Sequence, residues 1–223
     1  MSSFPEPYKK VTFTVEDYID QATESWDYNK PMAMNHLLKG LKIDPDHEGC
    51  NYNIGILEWF WNLNKDAAVP HFTKSPNMIL ACTCLGEWYC SKKIMTGAIE
   101  WYEKAANMGD FDSAWWLVKH FENKSRETDI ILWASIIPDL DERWEESRLI
   151  IARVQMLTKN FTKITKTLKD MLENAEALSI LGDLHLNHIK NGVPAGITFL
   201  IQATYKKHQK STNMLADYFY QKG

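Results

Sequence analysis

Ala81-Cys-Thr-Cys-Leu-Gly-Glu-Trp-Tyr89, a short break, then Ala98-Ile-Glu-Trp-Tyr-Glu-Lys-Ala-Ala106: these two stretches decide the fold. In each, small and apolar residues recur at helical spacing. Leu85, Gly86 and Tyr89 share one face of a predicted helix, and Ala98, Tyr102, Ala105 and Ala106 share one face of the next. Two helices approach closely only where one offers Gly or Ala to a large side chain of the other. The pair therefore reads as a tight helical hairpin. Asn107-Met108-Gly109-Asp110 closes it, with Gly109 expected as a C-terminal cap.

The same grammar recurs outward from this unit. Upstream, Ile54-Gly55-Ile56-Leu57-Glu58-Trp59-Phe60 precedes Ala67-Ala68-Val69-Pro70-His71-Phe72, and Gly55 lies 31 residues before Gly86. Ala33, Leu37, Gly40 and Leu41, followed by Asp44-Pro45-Asp46, repeat the second half. Downstream, Ala114-Trp115-Trp116-Leu117 opens another first helix. Leu181-Gly182 repeats the Leu-Gly pair 96 residues after Leu85-Gly86, about three periods on.

This pattern resembles the tetratricopeptide repeat and its relative, the Sel-like repeat. Leu85, Gly86, Tyr89, Ala98, Tyr102 and Ala105 match the tetratricopeptide register without a gap, and Ala98–Gly109 is closer to the Sel-like form. The resemblance covers residues 30–122 and 175–220; over 125–173 helices are predicted from periodicity alone. It implies an all-α, right-handed α-solenoid of about six antiparallel helix pairs with a C-terminal capping helix. The pairs are expected at 15–27 with 30–43, 47–62 with 65–74, 77–91 with 94–107, 111–123 with 127–137, 141–158 with 160–173, and 175–190 with 193–207. The cap is expected near 211–221. Residues 1–14 read as an extension and 15–223 as a single repeat domain, since no Gly-, Pro- or Ser-rich linker interrupts them.

Composition agrees. Hydrophobic residues are 45% and charged residues 24% of the 223, as in a globular chain. Met1–Pro7 lacks the basic start and apolar core of a signal peptide. Ile130–Ile137, the longest apolar run, is far short of the roughly 18 residues that a membrane span needs. A cytoplasmic protein with free thiols at Cys50, Cys82, Cys84 and Cys90 and no membrane contact is expected. The net charge of −4 is unevenly placed: residues 1–142 hold 13 Lys and Arg against 22 Asp and Glu, and residues 143–223 hold 12 against 7.

The resemblance implies a non-catalytic interaction module, an adaptor or inhibitor or a host-directed effector, binding a protein or peptide on the concave face lined by first helices. Carrying the register across gives Tyr52, Ile56, Trp59 and Phe60, then Thr83, Glu87 and Cys90, then Trp115, Lys119 and Glu122. Trp59 and Trp115 are either aromatic anchors for a partner or packing residues between helices. A basic stripe, Lys159, Lys163, Lys166 and Lys169, lies opposite Ile164, Leu168, Met171 and Leu172. Arg148, Arg153, Lys206, Lys207 and Lys210 are expected nearby. It is a solvated helix face or a surface for an anionic partner, an acidic peptide or nucleic acid. His185 and His188 sit near Asp183, but spacing offers no third ligand and His185 falls on an aromatic position of the repeat, so packing is expected. No phosphate loop, nucleophile elbow or zinc-protease helix occurs. No enzyme, cofactor or metal is expected, and an enzyme would require a site assembled from scattered residues.

Overall fold

The computed structural model describes residues 12–122 and 124–222. Most of the expected N-terminal extension, and the last residue of the helix expected over 111–123, lie outside them. The described residues are 75% helix overall and contain no strand. Within each unit helices pack with their sequence neighbours, and short connections make the pairs antiparallel. The chain divides into two compact units, one ending at Asp110 and one beginning at Phe111.

The first unit holds three hairpins: α1 (Val15–Ser25) with α2 (Lys30–Ile43), α3 (Glu48–Ile56) with α4 (Lys65–Thr73), and α5 (Ile79–Ser91) with α6 (Met95–Asn107). Local chemistry starts several of these helices. Thr14 Oγ1 accepts the Asp17 N–H at 3.2 Å while Asp17 Oδ2 accepts the Thr14 N–H at 2.7 Å, a reciprocal capping box. Asn29 caps α2 and Asn64 caps α4 through their side-chain oxygens. The hairpins close on glycine. A Cβ on Gly86 would stand 2.8 Å from the Tyr102 ring, and one on Gly55 only 2.5 Å from the Phe72 ring. Ala98 and Ala105 are fully buried beside them.

The second unit holds α7 (Phe111–Glu122) with α8 (Glu127–Ser135), α9 (Trp144–Leu157) with α10 (Phe161–Leu168), α11 (Ala175–Asn187) with α12 (Val193–Tyr205), and α13 (Gln209–Lys222), which packs on α12. Gly182 repeats the interlock, with a Cβ there 2.6 Å from the Leu200 side chain.

The turns repeat as closely as the helices. Leu63, Lys93, Ser125, Lys159 and Asn191 each adopt a positive φ two residues before the second helix of a hairpin, and Lys207 does so before α13. At Lys93 the Ile94 N–H reaches the Tyr89 carbonyl at 2.9 Å, and at Lys159 the Asn160 N–H reaches that of Gln155 at 2.8 Å. Both satisfy a carbonyl of the last helical turn. Gly109, at φ +96°, ends α6 in the same way, as expected from its sequence.

Three boundaries differ from expectation. The helix expected over 47–62 is α only to Ile56; Leu57–Trp61 widens into a π turn, in which the Asn62 N–H reaches the Leu57 carbonyl at 2.9 Å. Leu57 completes the α1–α2 face with Cys50 and Ile54, whereas Trp59 packs towards α4 and α5. Phe60 and Trp61, which regular spacing would keep on the Leu57 side, are carried outward. The helix expected over 160–173 stops at Leu168, where the chain turns so that Met171 enters the core and Asn174 caps α11. The helix expected from 141 begins at Trp144, because Asp141 is held by Arg143 in the preceding turn.

Candidate functional site

In the first unit the expected first-helix face is partly core. Trp59 is only 4% exposed, with its ring 5.8 Å from that of Phe72. Of the two readings open for it, open anchor or packing residue, it is the packing residue, so it does not stand among the exposed partner-face side chains. Lys65 covers the remaining edge, its Nζ 4.4 Å from the Trp59 ring centroid and 3.8 Å from Glu87. Tyr52 and Ile56 are half-buried against the same cluster. Thr83 is half-buried and donates to the Leu80 carbonyl at 3.0 Å; Glu87 is exposed; Cys90 is half-buried. Several apolar side chains of this unit do face water, among them three close together in sequence, Phe60 at 53%, Trp61 at 48% and Leu63 at 78% exposure. Trp61 and Leu63 were missed by the repeat register, which assumes an unbroken α-helix.

Beside this turn, Leu63, Lys65, Asp66, Trp88 and Lys92 line a hollow of about 350 Å³. Trp88 Nε1 donates to Asp66 Oδ1 at 2.6 Å, and Lys92 pairs with the same carboxylate at 3.0 Å. Those hydrogen bonds hold the Asp66 carboxyl below the usual range.

In the second unit, Trp115 is half-buried under Lys119, whose Nζ stands 4.4 Å over the ring. Lys119 also bonds Glu146 at 2.5 Å and Glu122 at 3.3 Å. Burial opposes its charge, and the two carboxylates outweigh burial and raise its pKa. Trp115, Lys119 and Glu122 thus form one local cluster on α7.

Cations over indole rings recur through the chain. Trp26, Trp59, Trp88, Trp101, Trp115 and Trp144, six of the nine tryptophans, each carry a Lys or Arg. In four of them the cation lies four residues on, at Lys30, Lys92, Lys119 and Arg148. A Trp followed by a cation one helical turn later is readable in sequence, and it accounts for many of the tryptophans without a ligand.

The basic stripe is exposed as expected, but only part of it converges. Lys163, Lys166 and Lys169 line a cleft of about 660 Å³ with Arg148, Trp144 and Gln155. Lys159 sits in the α9–α10 turn and does not line it. Arg153 and Lys206 are engaged elsewhere, with Glu176 at 2.7 Å and Glu173 at 2.6 Å.

His185 packs on Phe199 with ring centroids 5.4 Å apart, and His188 stacks on Phe161 at 4.3 Å. Among the described residues no three His, Cys, Asp or Glu side chains are grouped to hold a metal ion. Burial pushes the Cys50 and Cys82 thiols up to about 11 and Cys84 up to about 12, so each stays protonated at neutral pH. No described helix is long and apolar enough to cross a membrane.

No protein-family model matches the sequence, and no curated protein matches it. Solved structures do. One is YrrB, described as a TPR protein with an unusual peptide-binding site: 16% identity, 81% of this chain and 97% of that one covered, TM-score 0.48. Another is the MamA protein: 14% identity, 79% and 96% covered, TM-score 0.46. The class is decided by the chain itself, in which the register Leu85, Gly86, Tyr89, Ala98, Tyr102, Ala105 is realised as a hairpin locked by Gly86 on Tyr102. The fold is an all-α repeat of antiparallel helix hairpins whose register resembles the tetratricopeptide repeat. In this chain the aromatic and small positions of the resembling register, Gly86, Ala98, Tyr102 and Ala105 among them, are taken up by packing.

Proposed function

We propose that this TPR-like chain is a non-catalytic protein-interaction module, an adaptor or inhibitor. Its working surface in the first unit is centred on Phe60, Trp61 and Leu63 and bordered by Tyr52, Ile56, Thr83 and Glu87. The observation that carries this is the π turn at Leu57–Trp61. π turns inside helices are frequent at functional sites, and this one turns two aromatic rings to solvent. Leu63 adds weight. The other non-glycine residues at the equivalent turn position, Lys93, Ser125, Lys159, Asn191 and Lys207, are polar, whereas here a leucine holds φ +55° in water. A left-handed conformation costs an ordinary side chain roughly 1–2 kcal/mol, and leaving a leucine exposed forfeits about 1.5–3 kcal/mol of burial. Neither loss stabilises this chain alone; contact with a partner would recover the second. The hollow beside Trp88, flanked by Lys65 and Lys92, supplies polar contacts at the rim of the patch. The free thiols suit action in a reducing compartment.

The test is selection of displayed random peptides on the purified chain, followed by affinity measurement on Phe60→Asp and Trp61→Asp, with melting as the control for folding. Enriched peptides that bind the native chain and lose about tenfold or more on either variant support the proposal, as expected for a truncated aromatic hot spot. Peptides that bind the variants unchanged would remove this surface from consideration.

A further inference from the structure

The second unit carries a site of different chemistry. Its cleft of about 660 Å³ is bounded by the segment after α8, by α9 and by α10. That volume lies within the roughly 300–1,000 Å³ typical of ligand sites. Cations enter it from two helices, Arg148 from α9 and Lys163 and Lys166 from α10. Among the described residues none of the three is within ion-pair distance of a carboxylate, although Arg143, Arg153, Lys119 and Lys206 of the same unit all are. Unpaired like charges around a concave surface concentrate a positive field there. The Arg148 guanidinium lies 5.7 Å from the Trp144 ring centroid, which limits its freedom before any ligand arrives.

Two further features narrow the ligand. Gln155 lines the cleft yet is only 5% exposed, and its Oε1 accepts from Thr167 Oγ1 at 3.0 Å. The same hydroxyl lies 3.1 Å from the Lys163 carbonyl, so its one proton is shared between the two acceptors, and no other protein group bonds the Gln155 amide among the described residues. Asp139 and Asp170 also line the cleft, Asp170 paired with Lys169 of the same lining at 3.6 Å. A carboxylate repels a continuous phosphate backbone but accepts from a hydroxyl group. Cations on two walls, an amide donor and two acceptors together fit a small ring that carries both anions and hydroxyls.

We propose that this cleft binds a phosphorylated polyol with two or more phosphate groups. Arg148 takes one phosphate through its planar fork and Lys163 and Lys166 take another as point charges. Gln155 donates to a phosphate or hydroxyl oxygen, and Asp139 and Asp170 accept hydroxyl protons. The same chemistry occurs in a free sugar phosphate and in a phosphorylated lipid headgroup.

Calorimetric titration of the full chain with myo-inositol trisphosphate tests the site. Parallel arms use phosphatidylcholine vesicles with and without phosphatidylinositol bisphosphate, and a single-stranded RNA oligomer. Saturable one-site binding of the trisphosphate is expected. Lys163→Ala with Lys166→Ala, and separately Arg148→Ala, should each weaken it about tenfold or more, with melting unchanged. Lys210→Ala, on α13 and outside the cleft, should leave binding intact. Binding to the bisphosphate vesicles as well assigns the ligand to a lipid headgroup; binding to the trisphosphate alone assigns it to a soluble molecule. No saturable binding in either arm overturns the proposal. So does binding that the cleft variants leave unchanged, or RNA binding that they abolish while the trisphosphate does not bind.

Discussion

Gly86 and Tyr102 illustrate how much a single residue decides. The ring fills the space a Cβ would need, so Gly86→Leu forces either the ring or the α5 backbone to move. Overpacking of this kind costs about 1–3 kcal/mol, and the melting midpoint should fall accordingly. An unchanged midpoint would mean that the register is wrong. The close approach at Gly86 was legible because a small residue on one helix must receive a large side chain of the other; that Tyr102 is that side chain comes from the structure. Trp59 was not legible. Its position on the first-helix face is compatible with an open anchor or a core residue, and only packing on Phe72 distinguishes them. Trp59→Ala should therefore cost about 3–5 kcal/mol of stability, as large core truncations do. Weaker partner binding with full stability would restore Trp59 to the surface.

At the scale of elements, hydrophobic periodicity located the helices and their order, including those over 125–173 where no repeat signature helps. It missed the π turn, because the extra residue leaves composition and local propensity unchanged and only shifts which side chains face inward. It also carried α10 past Leu168, since Met171 and Leu172 continue an apolar stripe that the backbone abandons at a turn. The segment before α9 has its own electrostatic lock. Arg143 donates from Nε and Nη2 to Asp141 at 2.7 Å, and the Arg143 N–H adds a bond at 2.9 Å. These bonds, the side-chain ones first, lower the Asp141 pKa to about 2 from an ordinary 3.8. A depressed folded-state value means that the stabilisation is complete above the ordinary value and is lost as pH falls towards about 2. Asp141→Asn should thus melt below the native chain at pH 7, and the gap should close between about pH 4 and 2. A gap independent of pH would show that the bonds act by shape rather than charge.

Across the molecule, a repeat register predicts which side chains pack far better than which ones bind. Residues at Gly, Ala and aromatic positions have one environment in the hairpins that carry the signature, so the pattern names them. Phe60, Trp61 and Leu63 are left outside the core by a local departure from that pattern, and the Arg148–Lys163–Lys166 cleft depends on how α9 and α10 turn after Leu168. Such features follow from tertiary geometry, and neighbouring residues in sequence do not announce them. The basic half of the chain reads as a uniform stripe in sequence, yet Arg153 and Lys206 are taken up by Glu176 and Glu173 while Arg148, Lys163 and Lys166 share one cleft. The central functional claim is that the π turn at Leu57–Trp61 presents the partner surface. Amide hydrogen exchange on the full chain, with and without a saturating peptide obtained by display, measures this most directly. Slowed exchange concentrated on the π turn and the Asn62–Asn64 segment that follows is predicted. Protection confined to other helices, with Leu57–Asn64 exchanging as in the free chain, would contradict the account.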